Sequence, residues 1–335
     1  STMHSTSRRT SIIIAFVFVF VSALAFLYYV IFPVWIRNQI DDLTVDSKEP
    51  FNISIEKIHA TAWPIGLQLK NVSIRQMAPD SINTDSVFCQ KITIKHFSLL
   101  SFLFKKEYKT GHITLNHLVG EWTLPSVDTS KAATIFPFQI LCQKLSFKNV
   151  SLTLKKKHSS QETRIENGNA VLKNVLLKKD SAFSTLTYQI GEINTETVSH
   201  VTSDSLYTFR AHHILYSDKD STLQVDSFLS SPNLEKYAFA RMHPFQSDRI
   251  DAAFKNITFT QCDMTALILK GDMVMSSIHA DTFILDIFRD RRRPFHHKRR
   301  PLFQDLVHAY PGVLSVDSIT AHHGKIVYTE HHTDA

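Results

Sequence analysis

Gly66-Leu67-Gln68-Leu69-Lys70-Asn71-Val72-Ser73-Ile74 decides the fold. Leu67 and Leu69 alternate with polar neighbours, as in a strand with one buried and one wet face. At Lys70-Asn71 the alternation slips by one residue, and Val72 and Ile74 resume it. Such a slip sends the apolar set to the wrong face unless the chain absorbs it in a bulge or sharp bend. Asn tolerates the left-handed backbone that a bend of this kind needs. The same apolar-Lys-Asn-[Val/Ile]-x-apolar pattern recurs at Phe147–Leu152, Leu172–Leu177 and Phe254–Phe259. Four equivalent kinks in a long, curved sheet are therefore expected, at Asn71, Asn149, Asn174 and Asn256.

Working outward, period two dominates. Phe51, Ile53 and Ile55 alternate with Asn52, Ser54 and Glu56; Ile92 and Ile94 with Lys91, Thr93 and Lys95; Ile113 and Leu115 with His112, Thr114 and Asn116; Ile326 and Tyr328 with Lys325 and Thr329. Pro, Ser, Asp and Asn clusters separate these runs, the pattern of meandering antiparallel structure. The expected fold is mainly β: one N-terminal transmembrane helix, then a long, curved antiparallel sheet shaped as a groove, with few short helices. Helical candidates are a continuation of the anchor through Asp42 and the stretch Pro301–His308. The Asn-x-Ser/Thr triplets at Asn52, Asn71, Asn149 and Asn256 are read as by-products of the repeat rather than glycosylation acceptors.

Ile12 to Phe32 is apolar except for Ser22 and follows Arg8 and Arg9. Its length matches the roughly 30 Å hydrocarbon core of a bilayer. Arg8 and Arg9 place the N-terminus in the cytoplasm and the remainder across the membrane, with Tyr28, Tyr29 and Trp35 toward the exit side. A cleaved signal peptide, with Ala23-Leu24-Ala25 as its cleavage site, is the competing reading. The chain stays apolar well past Ala25, which favours an uncleaved anchor. The expected division is a cytoplasmic tail at 1–11, a signal anchor at 12–36 and one extracytoplasmic β domain at 45–335.

The formal net charge of +6 is modest. Much of the basic charge lies near residue 290, and a translocated body is on the wrong side of the membrane for nucleic acid. Cys89, Cys142 and Cys262 are widely spaced and odd in number, so buried free thiols are expected rather than a disulfide framework. Only 8 glycines occur, and GxGxxG, GxxxxGK[ST], GxSxG and HExxH are all missing. Asp263, Asp272, Asp281 and Asp286 are spread along the chain with no group converging on them, so no enzyme, catalytic residue or cofactor is expected. Of 18 histidines, several form doublets (His212-His213, His296-His297, His322-His323, His331-His332). Neighbours on a strand point to opposite faces, so a doublet chelates poorly and no metal is expected.

Arg289, Arg291, Arg292, Arg293, Lys298, Arg299 and Arg300 lie close together, with Pro294 and Pro301 interrupting any continuous element. Two readings stand: a patch for anionic headgroups or an envelope partner, or a solvated loop between strands.

The C-terminal stretch carries a family likeness. Phe283-Ile284-Leu285-Asp286-Ile287-Phe288-Arg289-Asp290-Arg291-Arg292 precedes Lys298-Arg299-Arg300-Pro301-Leu302. After a spacer come Leu314-Ser315-Val316-Asp317-Ser318-Ile319 and Gly324-Lys325-Ile326-Val327-Tyr328-Thr329-Glu330. With the single anchor and Trp63-Pro64-Ile65-Gly66-Leu67-Gln68-Leu69-Lys70-Asn71-Val72, this resembles the AsmA-like envelope proteins, in particular the long forms of Bacteroidetes. The likeness covers both ends of the chain; about 120 to 250 match in style only. It implies a Gram-negative inner-membrane protein, single-pass and facing the periplasm, related to TamB and the bridge-like lipid-transfer proteins. It also implies a role in phospholipid traffic and outer-membrane assembly. The C-terminal module of longer members is not seen before Ala335, so the likeness covers an N-terminal portion of such a protein.

Three functions follow as expectations. In the first, Ile53, Ile55, Leu67, Leu69, Ile92, Ile94, Leu152 and Leu154 line an apolar groove that shields the acyl chains of phospholipid, each buried CH₂ contributing about 0.8 kcal/mol. In the second, the body is an envelope scaffold with a filled core and no lipid. An enzyme with an unrecognised site is the third and least favoured.

Overall fold

The computed structural model describes residues 51–61, 65–76, 85–98, 107–124, 139–157, 159–179, 184–295 and 310–332, with 22 and 33–34. The rest of the anchor, Arg8, Arg9, Lys298, Arg299, Arg300 and the Pro301–His308 stretch lie outside the described residues. Among the described residues no helix is long and apolar enough to cross a membrane.

Twelve strands form one open sheet in sequence order. They are β1 (Phe51–Thr61), β2 (Gly66–Gln76), β3 (Ser86–Lys95), β4 (Glu107–Leu124), β5 (Gln139–Lys156) and β6 (Glu162–Lys179), then β7 (Ser184–Val201), β8 (Tyr207–Ser217), β9 (Thr222–Pro232), β10 (Asp248–Thr260), β11 (Met273–Asp290) and β12 (Leu314–His331). Two short helices, α1 (Lys236–Arg241) and α2 (Met264–Lys270), interrupt the meander. Neither follows from the apolar period, because each is under two turns. The signal for α2 was in its caps: Asp263 accepts from Ala266 N at 2.8 Å, and Gly271 closes it at φ 74°.

The expected all-antiparallel order needs correction. β4–β5 and β11–β12 are parallel. A parallel step requires a crossover of a dozen residues or more, and residues 125–138 and 291–313 supply it. Of the Arg-rich cluster, Arg289 thus lies at the end of β11, and Arg291, Arg292 and Arg293 open the second crossover.

All four repeat asparagines take positive φ: Asn71 52°, Asn149 53°, Asn174 52° and Asn256 50°. The step extends well beyond the four copies. In β3 it is Cys89-Gln90-Lys91-Ile92, in β4 Leu115-Asn116-His117-Leu118, in β8 Ala211-His212-His213-Ile214, and in β11 Ala280-Asp281-Thr282-Phe283. Each has two polar residues turned outward between two apolar residues turned inward. Flanking registers place the kinks side by side, as one seam through Glu56, Asn71, Gln90, His117 and Asn149, and a second from Asn167 through Glu196, His213, Asp226 and Asn256 to Asp281 and His322. β6 joins the two and carries the register shifts that this requires. Within each seam neighbouring strands bend at the same level, so pairing survives; Asn174 lies outside both, beside Gln143 and Gly111.

Across the seams side chains pair along the sheet. Asn167 Nδ2 donates to Glu196 Oε2 at 2.5 Å, and His213 Nδ1 lies 3.2 Å from Asp226 Oδ2. Buried apolar residues occupy the other face: Val72, Cys89, Val150, Val225 and Ile257 are all under a tenth exposed. The three cysteines are free and buried, and burial pushes each thiol up from its usual range.

Candidate functional site: an apolar face bordered by charge

Residues paired across a ladder point to the same face. Following the registers from Ile58 gives Leu69, Ile92, Leu115, Phe147, Ala170, Ile193, Tyr216, Leu223, Phe259, Ile278 and Ile319. Every strand contributes one residue to this row, and every residue in it is apolar. A parallel row runs from Ile55 through Val72, Cys89, Leu118 and Val150 to Val225, Ile257 and Ala280, broken only by Gly168 and Thr195.

All eight groove residues read from sequence fall on this face. Leu67 pairs with Ile94 and Leu69 with Ile92, while Ile53 and Ile55 pair with Ile74 and Val72. Leu152 pairs with Ile165, and Leu154 lies beside Trp122. Ile53, Ile55, Leu69 and Ile92 belong to one cluster with Val72, Cys89, Leu115 and Leu118. Leu152 and Leu154 lie on the next strand, β5. Sequence reading missed Leu115, Leu118 and Val150, although each borders one of the kinks.

The two halves of the face differ. In β7–β11 the protein covers itself: Cys262 and Met264 pack with Ile190, Tyr216, Leu223 and Met275. α2 is held there by Thr265 Oγ1, which accepts from Ile190 N at 3.0 Å. Phe209, Phe228, Phe254 and Phe283 follow one another across β8–β11, with ring centroids 6.1, 6.4 and 6.2 Å apart. In β1–β4, Leu69, Val72 and Cys89 are buried and Ile53, Ile55, Ile58, Ile92, Leu115 and Leu118 partly buried, as Phe228, Phe254, Phe259 and Ile278 are in the other half.

The polar face of β1–β5 is basic. Lys57 pairs with Lys70, Lys70 with Lys91, Lys91 with Asn116 and Asn116 with Lys148. Like charges directly opposed repel. Glu56 sits 3.5 Å from Lys57, but among the described residues Lys70, Lys91 and Lys148 have no ion pair. A second such row is Lys95, His112 and Lys144. Burial first, then His96, Lys144 and Lys95, hold His112 below the ordinary histidine range.

The described arginines of the basic cluster are each engaged within the chain. Arg289 forks onto Asp248 at 2.6 and 2.5 Å. Arg291 reaches Glu330 at 2.9 Å, and Arg293 donates to the His243 carbonyl at 2.5 Å. Arg292 grips Asp290 at 2.9 and 2.8 Å and lies 5.0 Å from the Tyr237 ring centroid. Those bonds hold Asp290 below the usual carboxylate range. Together they fasten α1 and the crossover to the end of β11.

Of the four aspartates, three are structural: Asp263 caps α2, Asp272 accepts from Val313 N at 2.9 Å, and Asp286 lies 3.9 Å from Lys236. Asp281 departs from the expectation that nothing converges on these groups. Asn256 Nδ2 donates to its Oδ2 at 3.0 Å, and His279 Nε2 is 3.0 Å from its Oδ1.

No protein-family model matches the chain, and no curated protein matches it.

Proposed function

We propose that the chain is an AsmA-like envelope protein, anchored in the Gram-negative inner membrane by 12–36 with its β body in the periplasm. On this reading it handles phospholipid by shielding acyl chains against its apolar face, and it is a binder, not an enzyme. The observation that carries the reading is the unbroken apolar row of one residue per strand. An unbroken row is what a flexible hydrocarbon chain needs, because each CH₂ withdrawn from water contributes about 0.8 kcal/mol wherever it lies. The β1–β4 portion, away from α1 and α2, is the part we assign to cargo.

A second reading keeps support from the other half. The phenylalanine series and α2 fill the face over β7–β11, as a scaffold with a closed core would. Native mass spectrometry with lipid extraction, on the full chain purified from a membrane-containing host, separates the two. Stoichiometric phospholipid supports the lipid reading. Folded, lipid-free protein supports the scaffold.

A further inference from the structure

The parallel pairing of β11 with β12 builds a cluster that no sequence spacing announces. His279 and Asp281 are two apart on one strand and so share a face. The register pairs Ala280 with Ala321 and Thr282 with His323, which sets His322 beside Asp281 on the same polar face. One nitrogen from each histidine and one carboxylate oxygen all lie within 4.8 Å of one another. Three atoms no further apart than that are at most about 2.8 Å from a common centre, against about 2.0–2.2 Å for Zn–N and Zn–O bonds. Shifts of up to about 0.8 Å in the donor atoms close the difference. The imidazole rings of His279 and His322 already stand 4.6 Å apart, edge to face.

The surroundings orient these donors. His279 Nδ1 is 2.8 Å from Thr320 Oγ1, which leaves Nε2 toward Asp281. Asn256 holds the other carboxylate oxygen at 3.0 Å, so Oδ1 is the one that faces the histidines. Partners of this kind fix ring orientation in metal sites. Two imidazoles and a carboxylate suit zinc and its first-row neighbours, not calcium or magnesium.

We propose that His279, Asp281 and His322 bind one divalent first-row transition cation, such as Zn²⁺, on the polar face. The ion staples β12 to β11 and keeps at least one coordination position open to solvent. Among the described residues β12 is the edge strand, exposed along most of its length with Ile319 69% and Ile326 62% exposed, and it pairs there with β11 alone. A cross-strand ion therefore acts where the sheet has least other support. The site is independent of lipid handling, and its test does not depend on that reading.

The test uses the untagged full chain, stripped of metal, with Zn²⁺ titrated against a chromogenic competitor. One equivalent is expected. His279→Gln, His322→Gln and Asp281→Asn each weaken binding at least tenfold, whereas His212→Gln, in a doublet elsewhere, leaves it unchanged. Hydrogen exchange in β12 slows on Zn²⁺ addition in the wild type and not in His322→Gln, whose exposed position spares the fold. Wild-type protein that fails to compete with the dye overturns the site. So does retained affinity in His322→Gln, or equal loss in the His212 control.

Discussion

Asn256 donates its side-chain amide to Asp281 at 3.0 Å across β10 and β11, from a backbone held at φ 50°. The bond is at once a kink device and a support for the histidine cluster beside it. A non-glycine residue in the left-handed region costs roughly 1–2 kcal/mol. Asn visits that region more readily than most non-glycine residues.

Asn256→Ala should therefore destabilise the protein by about 1–2 kcal/mol, while Asn256→Gly should cost less because glycine takes positive φ freely. Urea denaturation of both variants checks this. Ala equal to or better than Gly would show that the kink does not depend on backbone strain.

The opposed lysines predict a gain. Lys70→Gln removes one charge from between Lys57 and Lys91, and should stabilise by a few tenths to about 1 kcal/mol at low salt. Screening should erase most of the difference near 1 M salt. Thermal melts at two ionic strengths measure it. A loss of stability at low salt would mean that the lysine stem packs more than its charge repels.

Asp290 gives a pH signature. Its carboxyl is held below the ordinary range, first by the hydrogen bond to Arg292. The folded state thus binds its proton less readily than the unfolded chain does. The stabilisation is present above about pH 4, the unfolded value, and is lost as pH falls through the lower folded value. Asp290→Asn should lower the melting temperature at pH 7 and lie closer to wild type at pH 3. A constant gap across that range would refute the assignment.

The alternation and the four Lys-Asn steps were legible in the sequence because Asn advertises left-handed backbone. The same kink at His96, His117, His213 and Gln261, which also take positive φ, was not legible. Histidine signals that backbone only weakly; lateral pairing with neighbouring kinks shows that His117 and His213 belong, whereas His96 and Gln261 lie just past the ends of β3 and β10. The eight groove residues were legible because period two fixes a strand's face. The lysine row and the histidine cluster were not, since both depend on register. Asp281 meets His322 through the parallel register of β11 and β12, which pairs Ala280 with Ala321 and Thr282 with His323.

The most direct test of the lipid reading compares adjacent residues on opposite faces of one strand. Ile92 lies in the apolar row, and Thr93 pairs with Gln68 and Thr114 on the other face. A photo-crosslinking amino acid placed at each position, in the full chain in membranes, reports which face meets lipid. Phospholipid adducts at position 92 and not at 93 are expected. Adducts at neither position, or equally at both, would contradict a lipid-shielding face.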